Sequence, residues 1–254
     1  MIVIDVGNSN IVFGLYSKDK LIKVLRLKTE KKINKKNKIL ENFFSSKKNL
    51  LNNIENKYCI LSSVVPSLNE IFKKYFHKNK FKFYIINPKK IPFKGKIKYN
   101  LNQIGSDRIA NYAYAFKNNI KNCIIIDFGT ATTFDVIKNK NYSGGLIFPG
   151  INLSMDTLIK NAELIKHTKI SKSNQIVNNN TSASIKSGFY FGYLHAINGL
   201  LHQIIRENKF NPKIYLTGGL GRIFKDKINF NPIYIEYLTI EGIRIIGKQI
   251  YSEK

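Results

Sequence analysis

Cys123-Ile124-Ile125-Ile126-Asp127-Phe128-Gly129-Thr130-Ala131-Thr132-Thr133-Phe134-Asp135 is the stretch on which the fold turns. An apolar, β-rich run ends in an aspartate, bends through Asp-x-Gly-Thr and resumes as a second apolar run. That spacing predicts a hairpin with a tight glycine turn and a carboxylate at its mouth. The same pattern opens the chain as Ile2-Val3-Ile4-Asp5-Val6-Gly7-Asn8-Ser9-Asn10-Ile11-Val12. Asp5 matches Asp127 and Gly7 matches Gly129 at one common offset. Two copies of one unusual turn predict a duplicated fold with a ligand held between the copies.

Outward from these turns, residues 2–7, 10–16 and 20–28 read as an antiparallel meander. A helix follows over 38–55, then a buried strand at 58–61 closed by Ser62-Ser63-Val64-Val65-Pro66. Pro66 opens a second helix through about Phe76, as its missing N–H is tolerated in a first turn. A strand at 83–86, a loop over 88–104 and a helix from about Ser106 to Asn119 complete the half. The order then restarts, with strands at 122–128, 131–138 and 142–148 and helices at 151–164 and 182–207. Strand 213–217, a glycine-rich turn with a short helix, strand 233–237 and helix 239–252 finish it. A meander followed by parallel strands with helical crossovers, given twice, is a duplicated ribonuclease-H-like α/β unit. It predicts mixed sheets with helices on both faces. The linker Lys117–Lys121 places the boundary, giving domains 1–117 and 118–254.

The 254 residues, 43% of them hydrophobic and 12% aromatic, can bury a sizeable core. No apolar run approaches the roughly 20 residues that span a bilayer. The first residues enter a strand without the basic leader of a signal peptide, so a cytoplasmic protein is expected. Cys59 and Cys123 each lie in an apolar run and are expected to be buried, reduced thiols. The net charge of +26 raises nucleic-acid binding as a function class. The lysines are spread through the chain with many asparagines and isoleucines, as a compositional bias would leave them. The densest cluster, Lys31-Lys32-Ile33-Asn34-Lys35-Lys36-Asn37-Lys38, reads as a solvated loop without interleaved aromatics for base stacking. Nucleic acid is not the expected partner. The excess charge favours anionic substrates in general.

There is no G-x-x-x-x-G-K-[ST] phosphate loop, no G-x-G-x-x-G after a strand and no Cys/His cluster; the four histidines fit no ligand or triad spacing. Glycine turns flanked by hydroxyls and carboxylates remain. Asp5-Val6-Gly7-Asn8-Ser9-Asn10 and Asp127-Phe128-Gly129-Thr130 can present amides and hydroxyls to phosphate oxygens, with glycine allowing close approach or a positive φ. An aspartate beside a phosphate site repels its ligand unless a cation lies between them. A plain hairpin in which the aspartate caps its own backbone is the competing reading, and the duplication weighs against it. Gly105-Ser106-Asp107-Arg108 opens a helix whose N-terminal dipole favours an anion. Asp107 there can take a proton from a substrate hydroxyl and Arg108 can hold an anionic group, unless the pair is only a cap and a surface charge. Gly144-Gly145 to Gly150, Thr181 to Gly188 and Leu216-Thr217-Gly218-Gly219 are further turns and helix starts suited to a nucleotide or a substrate.

Together these motifs resemble the type III pantothenate kinases of the acetate and sugar kinase/heat-shock-70/actin superfamily, over nearly the whole chain and in the family's order. The resemblance implies an actin-like ATPase fold and ATP-dependent phosphorylation of pantothenate to 4'-phosphopantothenate, the first step of coenzyme A synthesis. By that analogy Asp107 is the general base. Tyr99, Gly105, Ser106, Asp107, Arg108 and Thr181 contact pantothenate, Thr181 from a partner subunit of a homodimer. Asp5, Val6, Gly7, Asn8, Ser9, Asn10, Ile11, Val12 and Thr130 bind ATP, and Asp127 holds a monovalent cation, K+ or NH4+. Mg2+ accompanies ATP. Two departures stand out: Ser9 replaces the family's usual threonine, and Tyr99-Asn100-Leu101-Asn102 lacks the usual Asn-Pro. A DNA-associated accessory protein and a kinase of another small hydroxy acid are the competing functions on the same scaffold.

Overall fold

The computed structural model describes residues 1–30, 36–47, 50–51, 54–93, 95–162 and 168–252, with residues 36–38 described through their backbone only. In chain order the elements are β1 (Ile2–Val6), β2 (Asn10–Ser17), β3 (Lys20–Lys28), α1 (Lys36–Ser45), β4 (Tyr58–Ser63), α2 (Pro66–Lys78), β5 (Lys82–Ile85) and α3 (Ser106–Lys117). They continue with β6 (Cys123–Phe128), β7 (Ala131–Lys138), β8 (Asn141–Pro149), α4 (Ile151–Lys160), α5 (Thr181–Asn208), β9 (Lys213–Thr217), α6 (Gly221–Phe224), β10 (Ile233–Tyr234) and α7 (Leu238–Ser252).

One sheet runs β3-β2-β1-β4-β5 and the other β8-β7-β6-β9-β10. β1 pairs antiparallel with β2 and parallel with β4, and β6 pairs antiparallel with β7 and parallel with β9. Each sheet is thus a meander extended by parallel strands, the duplicated plan expected from the two aspartate turns. Packing divides the chain into Met1–Gly95 with Tyr99–Asn118 and Leu238–Lys254, and Lys96–Lys98 with Asn119–Tyr237. That division departs from a single cut after residue 117, because α7 packs with the first unit.

Strand alternation sorts the faces of the first sheet. Ile2, Ile4 and Val6 enter a core with Leu40 and Phe44 of α1 and Leu68, Phe72 and Phe76 of α2. Phe13, Phe43, Phe44 and Phe72 stack and cross within it. Val3 and Asp5 point to the opposite face, beside Ile60 and Ser62 of β4. α7 covers that face: a Cβ on Gly247 would lie 3.0 Å from Ile60 Cγ2. α7 also crosses α3 in backbone contact, since a Cβ on Gly242 would lie 1.9 Å from the Ala110 carbonyl oxygen. Thr239 Oγ1 donates to Asn111 Oδ1 at 2.8 Å in the same buried crossing. In the second unit Ile124, Ile126 and Phe128 enter a core with Tyr190, Leu194 and Ile197 of α5 and Phe224 of α6. Ile125 and Asp127 face the other way.

Several boundaries differ from expectation. Within the helix expected over 38–55, α1 begins at Lys36 and closes at Ser45, Leu50 and Leu51 are helical again, and residues 48–49 and 52–53 lie outside the described residues. Ser45 Oγ bonds the Asn42 carbonyl at 2.7 Å, and the Lys47 amide reaches Phe44 at 2.9 Å, so the last turn tightens and closes. Lys36–Lys38 therefore belong to a helix and not to the lysine loop; residues 31–35 of that cluster, His167 and residues 163–164 of a helix expected over 151–164 lie outside the described residues. The strand expected over 233–237 pairs only at Ile233 and Tyr234. Cys59 and Cys123 are buried free thiols as expected, and burial pushes Cys123 up to about 12. Among the described residues no helix is long and apolar enough to cross a membrane.

Candidate active site

In the first unit, β1 carries Asp5 to its C-terminal end and the chain reverses over Gly7-Asn8-Ser9. The Gly7 amide closes that turn on the Asn10 carbonyl at 3.0 Å. Gly7 does not take a positive φ; close approach is its reason, because a Cβ would lie 3.0 Å from the Asn10 oxygen. Val6 and Ile11 are buried in the core, so they can meet a ligand only through their backbone, while Asn8, Ser9 and Asn10 are exposed. Thr29, just past β3, braces the turn: its hydroxyl donates to the Gly7 carbonyl at 2.7 Å and its amide to Ser9 at 3.0 Å. Nothing in the sequence marked Thr29, which lies outside the motif and meets it only through the β2–β3 register.

The pairing Asp5↔Ser62 places a buried hydroxyl beside the carboxylate, and Ser62 Oγ donates to Asp5 Oδ1 at 3.2 Å. Ser62 Oγ in turn meets Ser106 Oγ at 3.0 Å. Ser106, 5% exposed, accepts from the Ser63 amide at 2.8 Å and reaches the Ser63 carbonyl at 3.2 Å. Its hydroxyl is directed inward to β4.

α3 begins at that serine, after Gly105, which offers no side-chain cap. The Asp107 carboxylate folds back instead, and its Oδ1 accepts from the Arg108 amide at 2.8 Å. A Cβ on Gly105 would lie 2.2 Å from the same oxygen, so only glycine leaves room for this placement. Asp107 remains half-buried in the first turn of α3. Arg108 is 4% exposed and lies over the Tyr99 ring, Cζ 5.5 Å from its centroid. It is a built-in cation and not a surface charge, and the fold brings it together with Tyr99.

In the second unit Asp127 occupies the matching place on β6. The Gly129 amide closes its turn on Ala131 at 3.1 Å, one residue shorter than the first copy. Two glycines crowd this turn. A Cβ on Gly150, at the start of α4, would lie 2.0 Å from the Thr130 carbonyl oxygen. Gly218, at the end of β9 with φ +82°, would place one 2.7 Å from Asp127 Oδ1. Backbone therefore lines the Asp127 turn where a side chain would fill the space. Among the described residues no group of three or more His, Cys, Asp or Glu could hold a metal by itself. One carboxylate can share a cation with phosphate and carbonyl oxygens. Thr181, the first residue of α5, is exposed and lines a groove of about 910 Å³ with Phe148, Leu158, Ser184, Gly188 and Tyr193. That lining includes neither Asp127 nor Thr130.

A family model described as type III pantothenate kinase matches residues 1–203. The protein named type III pantothenate kinase from Pelagibacter ubique is 40% identical over 96% of this chain and 96% of its own length. The protein of the same name from Geobacter sp. is 35% identical, over 98% and 99%. A solved structure named for the Baf family of transcriptional activators, from Campylobacter jejuni, superposes with TM-score 0.62 at 22% identity, covering 99% of this chain and 100% of that one. A Sinorhizobium meliloti protein named as a 2-dehydro-3-deoxygalactonokinase gives TM-score 0.58 at 11% identity, covering 99% and 95%. At such identities these likenesses establish a shared fold alone. The sequence relatives establish more, and the chain belongs to the type III pantothenate kinase family.

Proposed function

We propose that Asp107 is the general base for this family's reaction, the ATP-dependent phosphorylation of pantothenate that opens coenzyme A synthesis. The terminal hydroxyl oxygen of pantothenate attacks the γ-phosphorus, the bond to the bridging oxygen of ADP breaks, and the hydroxyl proton passes to Asp107. The observation that carries this reading is the Asp107 carboxylate held over Gly105, beside a buried arginine stacked on Tyr99. Arg108 and Tyr99 orient the pantothenate carboxylate and chain, with Gly105 letting the substrate approach the backbone. The Asp5–Val12 turn and Thr130 contact the ATP phosphates. Asp127 would hold K+ or NH4+ and Mg2+ would come with ATP, supplying positive charge against the charge that builds up during phosphoryl transfer. Thr181 completes the pantothenate site of the neighbouring protomer in a homodimer, and the enzyme works in the cytoplasm.

The DNA-associated alternative is not favoured, since its support is the net charge and a fold likeness at 22% identity. ADP release measured across a panel of small hydroxy acids, with and without K+, tests the reading. Pantothenate should stand far above the rest and require the monovalent cation. Preference for another acid would overturn the substrate assignment, and equal rates without K+ would overturn the role of Asp127.

A further inference from the structure

Ser62 is fully buried and Ser106 nearly so, and neither hydroxyl is presented to solvent. Buried hydroxyls cost stability unless bonded, and these two satisfy each other. Four contacts link Asp5 Oδ1, Ser62 Oγ, Ser106 Oγ and the Ser63 backbone at 2.8–3.2 Å. Each serine owns one proton, which restricts how these contacts can be made. With Asp5 ionised, Ser62 donates to the carboxylate and Ser106 accepts from the Ser63 amide, while the one Ser106 proton serves either Ser62 Oγ or the Ser63 carbonyl. The contacts run Ser63, Ser106, Ser62, Asp5.

The far end of this chain is the first residue of α3, one position before Asp107. Gly105 supplies no side-chain cap, and the Ser106 clamp ties the start of the helix to β4. We propose that Ser62 and Ser106 are positioning residues for phosphoryl transfer: their hydroxyls chain the Asp5 carboxylate to the first turn of α3 and hold the Asp107 carboxylate in place. This rests on the assignment of Asp107 as the base. A misplacement of about 1 Å in a reacting group can cost on the order of 100-fold in rate, so a clamp one residue away acts on kcat.

The test compares isosteric substitutions, which separate a hydroxyl from its volume. Ser106→Val and Ser106→Thr add the same bulk, and only the second keeps the donor. Ser106→Val should lose about 10-fold in kcat with KM for ATP and pantothenate changed less than about 2-fold, while Ser106→Thr stays within about 3-fold of the parent. Ser62→Ala should lose about 10-fold, and Ser62→Ala/Ser106→Val about the same and not about 100-fold, because the two hydroxyls form one chain. Equal kcat in the Val and Thr variants, multiplicative losses in the double variant, or a loss carried by KM would each overturn the proposal. Asp107→Asn separates it from the assignment beneath it. An inactive Asp107→Asn beside a fully active Ser106→Val overturns the chain alone, and an active Asp107→Asn overturns the base and the chain with it.

Discussion

At the scale of single residues, the placement of Asp107 depends on what is missing from its neighbour. A Cβ on Gly105 would meet the far end of the Asp107 side chain at 2.2 Å, and a carboxylate can swing aside at little cost to the fold. Gly105→Ala should therefore keep nearly the parent melting temperature and lose about 100-fold in kcat. Thermal melting beside steady-state kinetics checks both halves; destabilisation with unchanged kcat would contradict it. The placement was legible in the sequence, since Gly-x-Asp-Arg sets a carboxylate and a cation at a helix start. The partner of Ser106 was not. A serine within a motif reads as a substrate contact, and its inward rotation follows only from the distant Ser62-Ser63 pair. Of the two reasons offered for glycine at 7 and 129, close approach is the one that applies; the positive φ falls instead at Gly144 and Gly218.

At the scale of elements, the two aspartate turns predict the duplicated plan of a meander followed by parallel strands, because each turn demands a hairpin and each hairpin restarts the same crossover sequence. Boundaries set by local competition were less legible. Ser45 ends α1 by bonding Asn42, and the strand after Pro232 shortens to Ile233–Tyr234. The role of α7 was also hidden, since an amphipathic helix at the end of a chain does not say which sheet it covers. Its contact with α3 is a backbone crossing at Gly242, where the Ala110 carbonyl cannot give way as a side chain can. Gly242→Ala should cost about 1–3 kcal/mol through overpacking, lowering the melting temperature by several degrees. An unchanged melting curve would show that the crossing is loose.

At the scale of the whole molecule, the duplication has diverged in use while keeping its topology. The first copy carries a turn braced by Thr29 and a carboxylate bonded to Ser62. The second is shorter by a residue and crowded by Gly150 and Gly218, which suits a cation and a second nucleotide contact. Neither copy holds the proposed base, Asp107, which sits on α3 between them in sequence. The measurement that bears most directly on this reading is pantothenate-dependent ADP release by the parent and by Asp107→Asn, with nucleotide binding followed in parallel. The parent should release ADP only with pantothenate present, and Asp107→Asn should bind ATP normally yet lose at least about 1,000-fold in kcat. Turnover within about 10-fold of the parent in Asp107→Asn would contradict it.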